Sequence, residues 1–297
     1  MRESIIQEII ELKKKDENIF VLDADCSHST QSILYSKEYS DSFLNVGIAE
    51  QNLIGVATGL ALMGKKVIVN CFANFLCLRG LDFVQQLVAK QNLPIIFLGH
   101  YSALSAAKEG GTHHSINSFS IMMSIPNVNF YNPFGESNVK QCLNKAYCDS
   151  KPAYINVSKI EYEEPLKFKN KLNVISVTPN SKCLIVCSGV ILEQVIGACE
   201  LLKEKNINVS ILAISDFSEL SIINEIAYFD DVWIVDESYE WGGIYPVITS
   251  LLNKKNICKK INHICIDGFT RSGSINDLYN LYGLSADKIA SVISNCY

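Results

Sequence analysis

Residues 45–79 read NVGIAEQNLIGVATGLALMGKKVIVNCFANFLCLR, and this stretch decides the fold. It reads as loop, helix, turn, strand, then an aromatic-lined turn into a second helix. Gly47 stands where a helix cap is expected, and Glu50 follows three residues later, in the first turn. A carboxylate there is stabilised by unpaired backbone N–H groups and by the helix dipole. From Ile48 to Met63 the side chains are small or apolar, apart from Glu50, Gln51, Asn52 and Thr58, which predicts a helix buried on most sides. A carboxylate at the mouth of such a helix either caps it or does chemistry, and the local pattern alone leans to a cap.

The 297 residues are enough for one large or two ordinary domains, and with 48% hydrophobic residues they supply a sizeable core. Net charge is −5 and the longest basic run is Lys13-Lys14-Lys15, which argues against nucleic acid as the main partner. No apolar run reaches the roughly 18–20 residues of a membrane span. The start, MRESIIQEIIELKKK, reads as an amphipathic helix with its basic end at the C-terminus, and lacks a signal-peptide core. The 11 cysteines include no C-x-x-C pair, so reduced thiols in a cytoplasmic protein are expected, and no metal site is proposed. Cys183, Cys187 and Cys265 sit in apolar runs, as core filler does.

Short apolar runs at Ile19–Asp23, Phe43–Val46, Val67–Cys71 and Pro94–Gly99 predict buried strands. The first opens into the polar loop Asp23-Ala-Asp25-Cys-Ser27-His28-Ser29-Thr30, and such a loop at a parallel strand's carboxyl end is a usual ligand position. The third delivers Phe72 and Phe75 to a strand end. The fourth leads into His100 and then Glu109-Gly110-Gly111-Thr112-His113-His114, where glycines let backbone approach a ligand closely. Arg79 and Asp82, three apart on the next helix, are expected to pair with each other or to face a subunit. A charged linker at 161–180 then separates residues 1–160 from a second domain at 181–297. There Cys183–Ser188, Val209–Ile214, Asp231–Val235 and His263–Ile266 predict strands, and Ile191–Lys205 an amphipathic helix. The alternation predicts two consecutive βα domains with mostly parallel sheets.

Gly47-Ile-Ala-Glu-Gln-Asn52, Phe72-Ala-Asn-Phe75, Leu93-Pro-Ile-Ile96, Gly110-Gly-Thr-His113 and Ile125-Pro-Asn127, in this order, resemble the pyrimidine-binding domain of the transketolase family. Ile234-Val-Asp-Glu237 with Gly242-Gly243, and Tyr282-Gly-Leu-Ser285, resemble that family's C-terminal domain, which mainly supports assembly. The resemblance covers nearly the whole chain. It implies that Glu50 bonds the aminopyrimidine of thiamine diphosphate and that Phe75 stacks on that ring with Phe72 nearby. It implies Asp25 as the acidic residue near the cofactor or a sugar phosphate. It also implies that His100, His113 and Glu109 meet substrate oxygens and that Lys159 stands in the phosphate-contacting region.

The departures concern the substrate. Glu109 stands where Asp is usual, His114 replaces a common Gln, and Met122-Met123-Ser124 and Asn156 with Lys159 stand where arginines are frequent. A lysine offers a point charge where Arg offers a bidentate fork, which points to altered phosphate recognition. No Gly-Asp-Gly occurs, the signature of the diphosphate- and magnesium-binding domain of full-length members. The resemblance therefore implies the C-terminal half of a split transketolase, paired in an α2β2 assembly with a subunit that holds magnesium and the diphosphate. A 2-oxo-acid dehydrogenase beta subunit and a non-catalytic assembly subunit are the alternatives.

Overall fold

The computed structural model describes residues 1–297 as two α/β units packed on one another. The first sheet contains β1 (Ile19–Asp23), β2 (Phe43–Asn45), β3 (Lys66–Phe72), β4 (Ile95–His100), β5 (Asn129–Tyr131) and β6 (Ala153–Val157). Their order is β2-β1-β3-β4-β6-β5, and every pairing is parallel. The second contains β7 (Asn173–Ser176), β8 (Cys183–Cys187), β9 (Val209–Ile214), β10 (Asp231–Tyr239) and β11 (Ile261–Ile266), in the order β11-β10-β8-β9-β7. Only β7 runs antiparallel, along β9. Helices cover both faces of a parallel sheet, so its strands read as continuous apolar runs. Phe97, Leu98, Ile185 and Val186 are accordingly fully buried.

The first sheet reverses its direction of growth between β1 and β3, and such a switch leaves a crevice at the strands' carboxyl ends. The loop after β1, the helix after β2, the aromatic turn after β3 and the segment after β4 all emerge there. The predicted amphipathic helix spans Arg2–Lys13 and buries Ile5, Ile6, Ile9 and Ile10. No helix is long and apolar enough to cross a membrane.

Two expectations need correction. The helix after β2 spans Glu50–Leu62 and starts at Glu50 itself, with Ala49 rather than Gly47 as its cap residue. It is buried on one face only, through Leu53, Ile54, Ala57 and Thr58, while Leu62 and Met63 at its far end are 63% and 78% exposed. The stretch read as a linker contains β7, a strand of the second sheet, together with buried Glu164 and Phe168. Glu164 accepts hydrogen bonds from the backbone N–H of Asn138 (2.8 Å) and Ser137 (3.3 Å) and from the Ser137 hydroxyl. It thereby caps the helix Glu136–Asp149 of the first unit.

The two units share apolar core. Phe217, between β9 and β10, meets Phe119 and Phe130 edge-on at 4.8 and 6.0 Å between centroids. The backbone of Asn132 donates to Ser215 (2.8 Å) and that of Phe217 to Phe130 (3.1 Å).

Candidate functional site

At the end of β2 the Asn45 amide ties the crevice wall together. Its Oδ1 accepts from the backbone N–H of Asp25 and of Gly47, each at 3.0 Å, and its Nδ2 donates to Asp25 Oδ1 at 3.3 Å. Asp25 and Gly47 both have left-handed backbone (φ 59° and 78°), which turns the chain out of the strands. Asp25 is exposed. Asp23, two residues earlier, is fully buried and accepts from the Cys26 backbone (2.7 Å) and the Thr30 and Ser32 hydroxyls (3.0 and 2.8 Å). Burial raises its pKa, and the hydrogen bonds only partly oppose that. Asp23 shapes the loop, and Asp25 is the carboxylate it presents.

Glu50 opens its helix with only 6% of its surface exposed. Its Oε1 accepts from Arg79 Nη1 at 2.9 Å, and the Arg79 guanidinium lies 4.1 Å from the centre of the Phe75 ring. Arg79 therefore pairs with Glu50, not with Asp82. Its side chain is 52% exposed, so it closes the outer side of the slot between Glu50 and Phe75.

Phe72 and Phe75 meet edge-on at 5.7 Å, and the His113 ring packs 5.0 Å from Phe75 and 5.7 Å from Phe72. The Asn74 amide holds the Gly110–His113 turn in place through the Thr112 carbonyl (2.7 Å). Tyr101 extends the aromatic wall, 4.9 Å from Phe72. Two cations flank its ring, Lys159 at 4.8 Å and Arg2 at 5.4 Å. Arg2 also donates to the Ser29 carbonyl (2.8 Å) and the Tyr101 hydroxyl (3.3 Å), bridging the loops after β1 and β4. Lys159 pairs with Glu109 at 3.0 Å. Burial pulls the Glu109 pKa upward, but the Lys159 hydrogen bond, a backbone hydrogen bond and the Lys159 and His113 charges together leave it lowered.

Glu50, Arg79, Phe75, Phe72, His113, Tyr101, Lys159 and Glu109 thus form one continuous cluster of contacts, and Asp25 is tied to the Glu50 end only through Asn45, which also holds Gly47. His100 does not reach the surface. It is fully buried at the end of β4, where Nε2 bonds Asn70 Oδ1 at 2.9 Å and Nδ1 has no partner. Burial, aided by the Arg2 charge, pushes its pKa down to about 3, so the ring is neutral. With an amide oxygen facing Nε2, that nitrogen carries the hydrogen and Nδ1 is left as a buried acceptor. Arg2, Ser29, Asn70 and Tyr101 were not singled out by sequence reasoning. The available signal for Arg2 was scarcity, since Arg2, Arg79 and Arg271 are the only arginines.

Gly110 and Gly111 serve a purpose other than close approach to a ligand. A Cβ on Gly110 would collide with the Ser272 hydroxyl, and one on Gly111 would lie 2.7 Å from the Thr270 carbonyl oxygen. The missing side chains admit a loop of the second unit.

Comparison with known proteins agrees with this architecture. The family description "Transketolase, pyrimidine binding domain" matches residues 1–165, and "Transketolase, C-terminal domain" matches residues 173–289. A putative transketolase C-terminal section from Methanocaldococcus jannaschii is 30% identical over 99% of this chain and 95% of its own length. A 6-deoxy-6-sulfo-D-fructose transketolase subunit from Clostridium sp. is 25% identical over 97% of this chain and 92% of its own. Of the longer relatives the chain spans about half: the 1-deoxy-D-xylulose-5-phosphate synthase of Fusobacterium nucleatum is 28% identical over 87% of this chain and 44% of its own. Among solved structures, one described as a split gene transketolase, inactive beta4 tetramer, shares the fold with a TM-score of 0.87 at 23% identity, covering 99% of this chain and 97% of that one. The chain belongs to the transketolase family and joins that family's pyrimidine-binding and C-terminal domains in one polypeptide.

Proposed function

We propose that this chain is the β-type subunit of a split transketolase, which moves a two-carbon ketol unit from a ketose donor to an aldose acceptor with thiamine diphosphate as cofactor. The observation that carries the reading is the slot between Glu50 and Phe75. It holds the Arg79 guanidinium, a flat group that donates N–H to Glu50 and stacks on Phe75. An aminopyrimidine is also flat and also presents N–H donors, so these residues fit it. When bound, thiamine diphosphate supplies the acidic thiazolium carbon on which carbon–carbon bonds are made and broken. Glu50 would hold a pyrimidine ring nitrogen through a shared proton, and Phe75 with Phe72 would flank the ring. The burial of Glu50 excludes water from that proton.

Substrate recognition is assigned to the far side of the aromatic wall. His113 and Glu109 face the crevice as hydroxyl partners, and Arg2 with Lys159 offers positive charge to an anionic end of a sugar. The buried His100 is assigned a supporting place behind the wall rather than a direct contact. Relatives of comparable length whose names describe transketolase sections or subunits support a divided enzyme. So does the exposed apolar surface near Glu50, where Ile48 is 74% exposed. We assign that surface to a partner carrying the diphosphate and magnesium sites, in an α2β2 assembly in the cytoplasm, where the eleven unpaired thiols remain reduced.

The test is affinity purification of the tagged chain with thiamine diphosphate and magnesium present, followed by ketol-transfer assays on the complex. Turnover is expected from the complex and not from the chain alone. Glu50→Ala should abolish it while leaving assembly intact. Robust turnover by the isolated chain would remove the partner from the proposal, and an active Glu50→Ala complex would remove the role of Glu50.

A further inference from the structure

The segment that carries Glu109 and His113 is strained and is tied to the second unit. Within seven residues, Tyr101, Ala103 and Ala107 all have left-handed φ (60°, 52° and 51°), a region that residues with a Cβ seldom occupy. Such conformations persist only where neighbouring structure imposes them. At Tyr101 that structure belongs to the first unit, through Phe72, Arg2 and Lys159, and further along the segment it belongs to the second. Leu104 is fully buried in the second unit's core, beside the helix Ile275–Leu281. Gly110 and Gly111 lie against Ser272 and Thr270. One side chain joins the two loops directly: His114 is 3% exposed, with Nε2 3.1 Å from the Ala107 carbonyl and Nδ1 2.8 Å from the Thr270 hydroxyl. A carbonyl only accepts, so in the neutral ring Nε2 carries the hydrogen and Nδ1 accepts from Thr270. His114 thus spans from one of the strained residues of the segment, Ala107, to the second unit.

We infer that Thr270 of the C-terminal domain is a positioning residue for the substrate side of the site: through His114 it fixes the strained 101–114 segment, and with it Glu109 and His113. The C-terminal domain then shapes acceptor recognition as well as supporting assembly. This inference rests on the transketolase reading for its catalytic consequence, but not for its structural one.

Amide hydrogen exchange on the full chain tests the structural part. Thr270→Val keeps the shape and removes the hydroxyl, and should quicken exchange across residues 101–114 by about tenfold or more, with β10 unchanged. Thr270→Ser should restore the slow exchange. Unchanged exchange at 101–114 in the valine variant would overturn the inference. Faster exchange throughout the chain would overturn it too, by making the contact one of general stability. In the complex with the partner, with D-ribose 5-phosphate as acceptor probe, Thr270→Val should raise KM about tenfold with kcat within about twofold, again restored by serine. A wild-type complex without ketol transfer would defeat the functional reading while leaving the exchange result to decide the clamp.

Discussion

Arg79 and Glu50, from the ends of two different helices, meet at 2.9 Å with the guanidinium stacked on Phe75. The Glu50 carboxylate is therefore already engaged by a side chain of this chain. Because Arg79 is half exposed, solvent screening keeps the ion pair and stacking together near about 1 kcal/mol. A ligand entering the slot has to displace a contact of that size. Arg79→Ala is expected to tighten binding of the aminopyrimidine fragment of thiamine roughly fivefold, by calorimetry on the purified chain. Weaker binding in the variant would mean that Arg79 is a binding partner for the ring, not an occupant of its place.

Glu237, at the end of β10, is buried beside Tyr279, whose hydroxyl donates to its Oε1 at 3.1 Å. Burial raises its pKa to about 7, and the Tyr279 hydroxyl and Leu104 backbone, which favour the charge, do not offset it. Between about pH 4.5 and about 7 the folded chain holds a proton that the unfolded chain has released. Stability should therefore fall as pH rises through that window, by roughly 3 kcal/mol in all, and level off above it. Glu237→Gln should remove most of that slope in urea titrations at stepped pH. An equal slope in the variant would assign the pH dependence to other groups.

The parallel architecture was legible because both faces of such sheets are covered, so strands such as Cys183–Cys187 appear as unbroken apolar runs. Sequence reading singled out Phe72 at the end of β3, and Glu50 and Phe75 at the openings of the helices that follow β2 and β3, and the structure places them at those points of the fold. What remained hidden depended on partners distant in sequence. Asp23 and Asp25 look alike in the chain, but Asp23 ends β1 and is buried, whereas Asp25 lies beyond the strand, where left-handed backbone (φ 59°) turns it outward. β7 was lost in a charged stretch because an edge strand needs only one apolar face, and only Val174 is buried. The Gly110-Gly111 pair signals a close approach in any fold, and nothing local says that the approaching group is Thr270 and Ser272 instead of a ligand.

Glu164 shows how misleading that charged stretch is. Within Glu161-Tyr-Glu-Glu-Pro165 it is the one carboxylate that is buried, 1% exposed, and it receives two backbone N–H groups and a hydroxyl. Removing it leaves helix-terminal donors enclosed without an acceptor. Glu164→Ala is expected to destabilise the chain by roughly 2 kcal/mol in urea unfolding. Glu161→Ala, whose side chain is exposed, should fall within about 0.5 kcal/mol of wild type. Similar losses in both variants would show that the capping contact does not hold in solution.

Gly110 and Gly111 separate two reasons for a glycine. Gly110 has φ 77° and faces the Ser272 side chain, whereas Gly111 carries no left-handed φ and faces the Thr270 backbone. In Gly110→Ala, the added Ser272→Ala change should relieve the steric part and leave about 1–3 kcal/mol of backbone strain, because φ 77° with ψ −170° is a conformation used almost only by glycine. In Gly111→Ala the obstacle is a carbonyl oxygen that cannot rotate away, so about 1–3 kcal/mol should be lost, with no rescue from Ser272→Ala. Urea unfolding of the two single and two double variants measures both. A neutral Gly111→Ala would mean that the two loops stand further apart in solution, since a Cβ placed 2.7 Å from a backbone oxygen has no other way to be accommodated without cost.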